Sequence, residues 1–155
     1  MDYGLRVIQM MFASIALDSN IFRNQDFINY ITLHAADFKI FLPSIVQLEV
    51  GYFYRMKNIS WTQFKEDVEK FGCKLVPWGK FKNANVIENA YKNRKELPFQ
   101  HHFRDYLIGT ECKSTVKMLI TYNKKHFLWL NKVQIQTPEE LVRIHQQFLQ
   151  QQKSK

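Results

Sequence analysis

The sequence is short of cysteine: Cys73 and Cys112 are the only two in 155 residues, with no C-x-x-C pair and no metal-ligand spacing. That excludes a secreted disulfide scaffold and leaves two free, buried thiols of a reducing compartment as the expectation. Long apolar runs are missing too, since no stretch approaches the roughly 20 residues that span a bilayer. The opening MDYGLRVIQMMFASIALDSN lacks a clear basic region, and its apolar part runs straight into Asp18. No signal peptide and no membrane partner are therefore expected, and a cytoplasmic location follows. Met10 and Met11 offer alternative starts, which makes residues 1–9 a dispensable N-terminal extension. Internal repeats and Gly/Ser- or Pro-rich linkers are also lacking. One domain over residues 1–155 is expected, with 149–155 as the frayed end of a last helix.

The chain is 46% apolar and 15% aromatic. A single domain of this size can bury a core without disulfides. Its formal charge is +8 and its pI is near 9.5. Such a surface suits a polyanionic partner, and equally a merely soluble basic protein.

Short apolar runs alternate with helical patterns. Strands are expected at Phe12–Leu17, Lys39–Leu42, Lys74–Val76, Lys117–Thr121 and Val133–Gln136. Helices are expected over Ser19–Leu33, from Pro43 to about Arg55, from Ser60 to Phe71, from Lys80 to Lys95 and from Phe103 to Ser114. A short turn covers Lys124–Leu128, and a final helix opens at Pro138 behind Thr137, with acids at Glu139 and Glu140. This alternation predicts an α/β fold with a mainly parallel sheet. In such folds ligands bind beyond the carboxyl ends of the strands, at the topological switch point.

Three acids stand out against that frame. Asp18 ends the first strand in L-D-S-N, where it is either a helix cap or a site residue. Glu49 shares a helical face with Ile45, Val46, Tyr52 and Phe53, and an acid in apolar surroundings is costly unless paired or bound to a cation. Asp105 shares a face with Ile108, Gly109, Cys112 and Val116, and falls in the expected first turn, where the helix dipole favours an anion. Thr121 and Asn123 end another strand in T-Y-N, as site residues or as simple turn chemistry. Carboxylates converging at one sheet edge repel one another, and a hard divalent cation relieves that repulsion. His101 and His102, expected on a loop before the Asp105 helix, are a weak ligand signal, and His126 is expected to pack locally.

The motifs ALDSNIF, PSIVQLEVGY, FRDYLIG, MLITYNKKHF and VQIQTPEEL in this order resemble the PIN-domain family, and VapC-like toxins within it, over nearly the whole chain. The resemblance implies a three-layer α/β/α domain with a five-stranded sheet and Mg²⁺- or Mn²⁺-dependent cleavage of RNA. It implies that Asp18, Glu49 and Asp105 hold the metal, that Asn123 completes the catalytic set, and that Ser19 or Thr121 supports it. It also implies a homodimer and a VapB-like antitoxin. Many PIN nucleases carry an acid where this chain has Asn123. That departure motivates an alternative, a PIN-fold module that binds RNA or protein without cutting; a housekeeping RNA-processing nuclease is another.

Basic residues recur at Arg55, Lys57, Lys80, Lys82, Lys92, Arg94, Lys95, Lys113, Lys117, Lys124 and Lys125, interleaved with Trp78, Phe81, Tyr91 and Tyr122. Single-stranded RNA is held by such mixtures, and solvated helix faces look alike. Arg104 and Lys124, nearest the proposed site in sequence, are the expected RNA contacts.

Overall fold

Five parallel strands form one sheet in the order β3-β2-β1-β4-β5. The computed structural model of the protein describes residues 12–77 and 83–154. The strands are β1 (Ala13–Leu17), β2 (Phe38–Leu42), β3 (Cys73–Leu75), β4 (Met118–Ile120) and β5 (Gln134–Gln136). Six helices accompany them: α1 (Gln25–Leu33), α2 (Ser44–Met56), α3 (Trp61–Lys70), α4 (Asn83–Lys92), α5 (Phe99–Lys113) and α6 (Pro138–Lys153). The architecture is α/β with an all-parallel sheet, consistent with the expected three-layer α/β/α, PIN-like arrangement.

The two central strands are the most apolar. Ile15, Leu17, Leu119 and Ile120 are fully buried, as strands covered on both faces must be. They pair in register, Ile15 with Met118 and Leu17 with Ile120. The edge strand β5 reads Q-I-Q and is only partly covered. The chain leaves β1 toward β2 and β3, then returns to the other side of β1 at β4. The switch point thus lies between the carboxyl ends of β1 and β4.

Most expected elements appear within a residue or two, with local differences. The segment Ser19–Leu33 is not one helix: a 3₁₀ turn, Ser19–Arg23, is followed by α1, because the Asn24 side chain accepts from Phe27 N and starts a new helix. Pro43 stands at the cap rather than in the first helical position of α2. Helix α5 begins four residues before Phe103, at Phe99 behind Pro98. His101 and His102 therefore lie on a helix and not on a loop. Asp105 lies in the second turn, too far in for the helix end to account for it. Ser60 accepts from Gln63 N at 3.1 Å as the cap of α3. Thr137 and Glu140 form a reciprocal capping box at α6. Helical geometry in α6 continues through Lys153. Residues 1–9, Met10, Met11, Trp78, Lys80, Phe81 and Lys82, and with them the expected start of the fourth helix, lie outside the described residues.

Candidate metal centre

Asp18 is the first residue after β1, and its backbone N–H donates to Ile120 O across the switch point at 3.0 Å. It is fully buried. Oδ1 accepts from Ser19 N at 2.7 Å, so Asp18 does cap the 3₁₀ turn. Oδ2 accepts from the Thr121 hydroxyl at 2.7 Å. The cap reading is therefore met, and one oxygen is fixed by each strand end.

Glu49 arrives from α2. That helix is held by a buried acid, Glu111 of α5, which accepts from Ser44 N at 2.7 Å and from Ser44 Oγ at 2.8 Å. A carboxylate at a helix N-terminus satisfies an N–H that has no partner inside the helix and meets the positive end of its dipole. The contact locks α2 to α5, and hence Glu49 to Asp105. The expected apolar setting of Glu49 is only half met, since Val46 and Val50 are buried but Tyr52 and Phe53 are exposed. Glu49 Oε1 is buried and has no hydrogen-bond partner among the described residues.

Asp105 is 5% exposed. Its Oδ2 lies 3.2 Å from His102 Nδ1 and 3.2 Å from His126 Nδ1. His102 is one helical turn before it, and His126 sits on a 3₁₀ turn, Lys124–Phe127. That turn is brought to α5 by Trp129, which donates from Nε1 to His126 O at 2.8 Å. The indole needs a residue without a side chain beneath it: a Cβ on Gly109 would stand 2.6 Å from Trp129 Cη2 and Cζ2.

Arg104 joins the three acids. Its Nε donates to Glu49 Oε2 at 2.6 Å and its Nη1 to Asp105 Oδ1 at 3.1 Å. Its Nη2 donates to Asp18 Oδ1 and, at 2.9 Å, to Ser19 Oγ. Burial opposes the charge on Arg104, but the hydrogen bond to Glu49 and the charge of Asp18 outweigh it and hold its pKa above the ordinary value. Arg104 is thus the cation at the centre of the cluster, bonded to all three acids.

The donor chemistry fits a hard divalent cation. Three carboxylates from three elements surround the Arg104 guanidinium as an all-oxygen set, and one oxygen of Glu49 is buried without a partner. The spacing is that of a guanidinium. Among the described residues the groups whose ligand atoms all lie within 4.8 Å are His34, Asp37, His145 and His102, Asp105, His126. Asp18, Glu49 and Asp105 are not among them. They would need to close in to reach the roughly 2.1 Å bonds of Mg²⁺.

The remaining expected residues are placed less directly. Asn123 is exposed and joins the site through its backbone, donating to Thr121 Oγ1 at 3.0 Å. Lys124 pairs with Glu140 at 3.0 Å and braces the turn that carries His126. Tyr122 is held between Asn24 and Glu139, and Arg94 lies over the Tyr91 ring. Arg55, Lys57, Lys92, Arg94, Lys95, Lys113, Lys117 and Lys125 are exposed, as RNA contacts and solvated residues both are. Both cysteines are free and buried. Burial pushes the Cys73 thiol up to about 12. Sequence reasoning missed three features of the site: the clamping acid Glu111, the contact of His126 with Asp105, and Arg104 as the central cation. Glu111 had a signal, an acid inside the apolar run Y-L-I-G-T-E-C. Among the described residues no helix is long and apolar enough to cross a membrane.

No protein-family model matches the chain, and no curated protein matches it.

Proposed function

We propose that the protein is a divalent-cation-dependent endoribonuclease in which Asp18, Glu49 and Asp105 hold Mg²⁺ or Mn²⁺. The observation that supports this most is the convergence of three acids, from a strand end and two helices, on a single guanidinium at the switch point. An ordinary structural ion pair needs one acid. Three acids facing one Arg leave an excess of negative charge that a divalent cation relieves.

A cation held by these three acids would supply acidification of a water and neutralisation of charge on the phosphate. The chain's own residues orient and gate. Thr121 fixes Asp18 Oδ2, so that Asp18 presents Oδ1 to the centre. Glu111 keeps the Glu49 helix in place. Arg104, set among these acids, would be placed to hold a phosphate oxygen beside a bound cation. The basic surface, with a net charge of +8, suits an RNA backbone. The toxin role, a VapB-like antitoxin, a homodimer and a cytoplasmic location belong to the same proposal and rest on the resemblance of the motifs.

Arg104 itself favours a second reading, a module that binds RNA without cutting, in which the guanidinium is the permanent partner of the acids. A mixed RNA pool incubated with pure folded protein in Mg²⁺, Mn²⁺ or EDTA separates the two. Cutting that needs metal and is absent in Asp105→Asn supports the nuclease. Tight RNA binding with no cutting in either metal supports the module and overturns the nuclease.

A further inference from the structure

We infer that His102, Asp105 and His126 form a second cation position, of mixed nitrogen and oxygen character, that takes a transition metal such as Zn²⁺, Co²⁺ or Mn²⁺. Its catalytic meaning rests on the nuclease reading; its existence does not. Asp105 is the shared wall. Its Oδ1 faces the all-carboxylate centre through Arg104, and its Oδ2 faces two imidazoles.

The geometry is close to that of a bound ion. Donor atoms on a tetrahedral cation with bonds of about 2.1 Å lie about 3.4 Å apart. Both Nδ1 atoms already stand 3.2 Å from Asp105 Oδ2, and the three donor atoms all lie within 4.8 Å of one another. Little movement is needed, in contrast to the wider carboxylate cluster. The two rings meet edge to face at 4.8 Å and 79°, and the Nδ1 of each approaches the same oxygen. Two imidazoles with a carboxylate select zinc or another borderline metal over Mg²⁺, which prefers oxygen.

The support around the ligands is what such a position needs. Trp129 holds the His126 backbone, and Lys124 ties the same turn to Glu140. Access is open on one side: His102 and His126 line a cavity of about 560 Å³ together with Asn93, Glu96, Lys125 and Trp129. Three protein ligands and an open side are the pattern of a metal position that keeps a coordination site for solvent or substrate.

The other compact group, His34, Asp37 and His145, is the competing location. There the His145 Nδ1 is engaged by a residue outside the group, the Tyr30 hydroxyl, at 2.6 Å. That residue is fully buried.

Titration of the whole chain with Co²⁺, followed by visible absorption, tests the assignment. A saturable band is expected in the wild type. It should be lost, or shifted at least tenfold in Co²⁺ concentration, in both His102→Ala and His126→Ala, and kept in His34→Ala. Circular dichroism confirms that each variant is folded, and the His→Gln change at the same position replaces any that is not. A band that survives both His variants, or one lost in His34→Ala, overturns the inference. RNA cleavage in Mg²⁺ without a His-dependent band also overturns it and leaves the nuclease standing. A His-dependent band in a protein that cuts no RNA does the reverse.

Discussion

Arg104 Nε donates to Glu49 Oε2 at 2.6 Å, joining residues 55 positions apart in sequence across the interface of α2 and α5. The same guanidinium reaches Asp18 and Asp105, so one side chain pairs with acids from three elements. Whatever the chain does at this point, the charge of Arg104 sets the resting state of the site.

Replacing it exposes that balance. Removing one partner of a buried ion pair costs about 3–5 kcal/mol. Arg104→Gln should therefore lower the unfolding midpoint clearly in EDTA. Added Mg²⁺ should raise the midpoint more in the variant than in the wild type, because the cation then supplies the missing positive charge. Thermal denaturation with and without Mg²⁺ reads both effects. Equal Mg²⁺ shifts in the two proteins would show that the cation and Arg104 do not compete.

Glu111 should behave as the clamp between α2 and α5. Glu111→Ala leaves Ser44 N–H and Oγ without their carboxylate, at a cost of about 2–4 kcal/mol. Glu111→Gln keeps an acceptor for the N–H and should cost less than half as much. Urea denaturation of both variants gives the comparison. If the two are equally destabilised, the charge and not the hydrogen bond holds α2.

Gly109→Ala should be harmful although Ala favours helices. The new Cβ would meet the Trp129 ring at 2.6 Å, and an indole cannot shift like a flexible chain end. Overpacking of this kind costs about 1–3 kcal/mol. Tryptophan fluorescence should report a displaced Trp129, with the turn that carries His126 loosened. A variant of wild-type stability and unchanged emission would mean that Trp129 moves freely.

His145 gives the fold an acid-sensitive point. Burial lowers its pKa, and Asp37, acting the other way, does not restore it. The unfolded chain therefore binds the proton more readily than the folded one. His145 contributes stability above the ordinary His pKa of about 6.5, and that contribution is lost as pH falls toward its lower folded value. Unfolding free energies at pH 7.5 and 5.5 should differ more in the wild type than in His145→Gln. An identical pH dependence would assign the acid sensitivity elsewhere.

What the sequence showed followed from local rules. Asp18, Thr121 and the caps at Ser60 and Thr137 are positions where chain direction and residue type agree, so strand ends and helix starts were readable. The start of α5 was not, because Pro98 and the polar run Q-H-H look like a loop until the later turns of the helix pull them in. The break at Asn24 turned on one side-chain cap within an apolar pattern that reads as continuous. The roles of Arg104 and His126 needed tertiary information. Arg104 looked like any basic residue beside an acid, and His126 lies 21 residues from Asp105, joined to it by the packing of Trp129 on Gly109.

The most direct test of the central claim is calorimetric titration of the wild type and Asp18→Asn with Mg²⁺. Asp18 is the residue to change because it is fully buried and faces Arg104 from the end of β1. The carboxylate centre predicts saturable Mg²⁺ binding to the wild type, weakened at least about tenfold (1.4 kcal/mol) in the variant. Identical binding by both proteins, or none by the folded wild type, would contradict it.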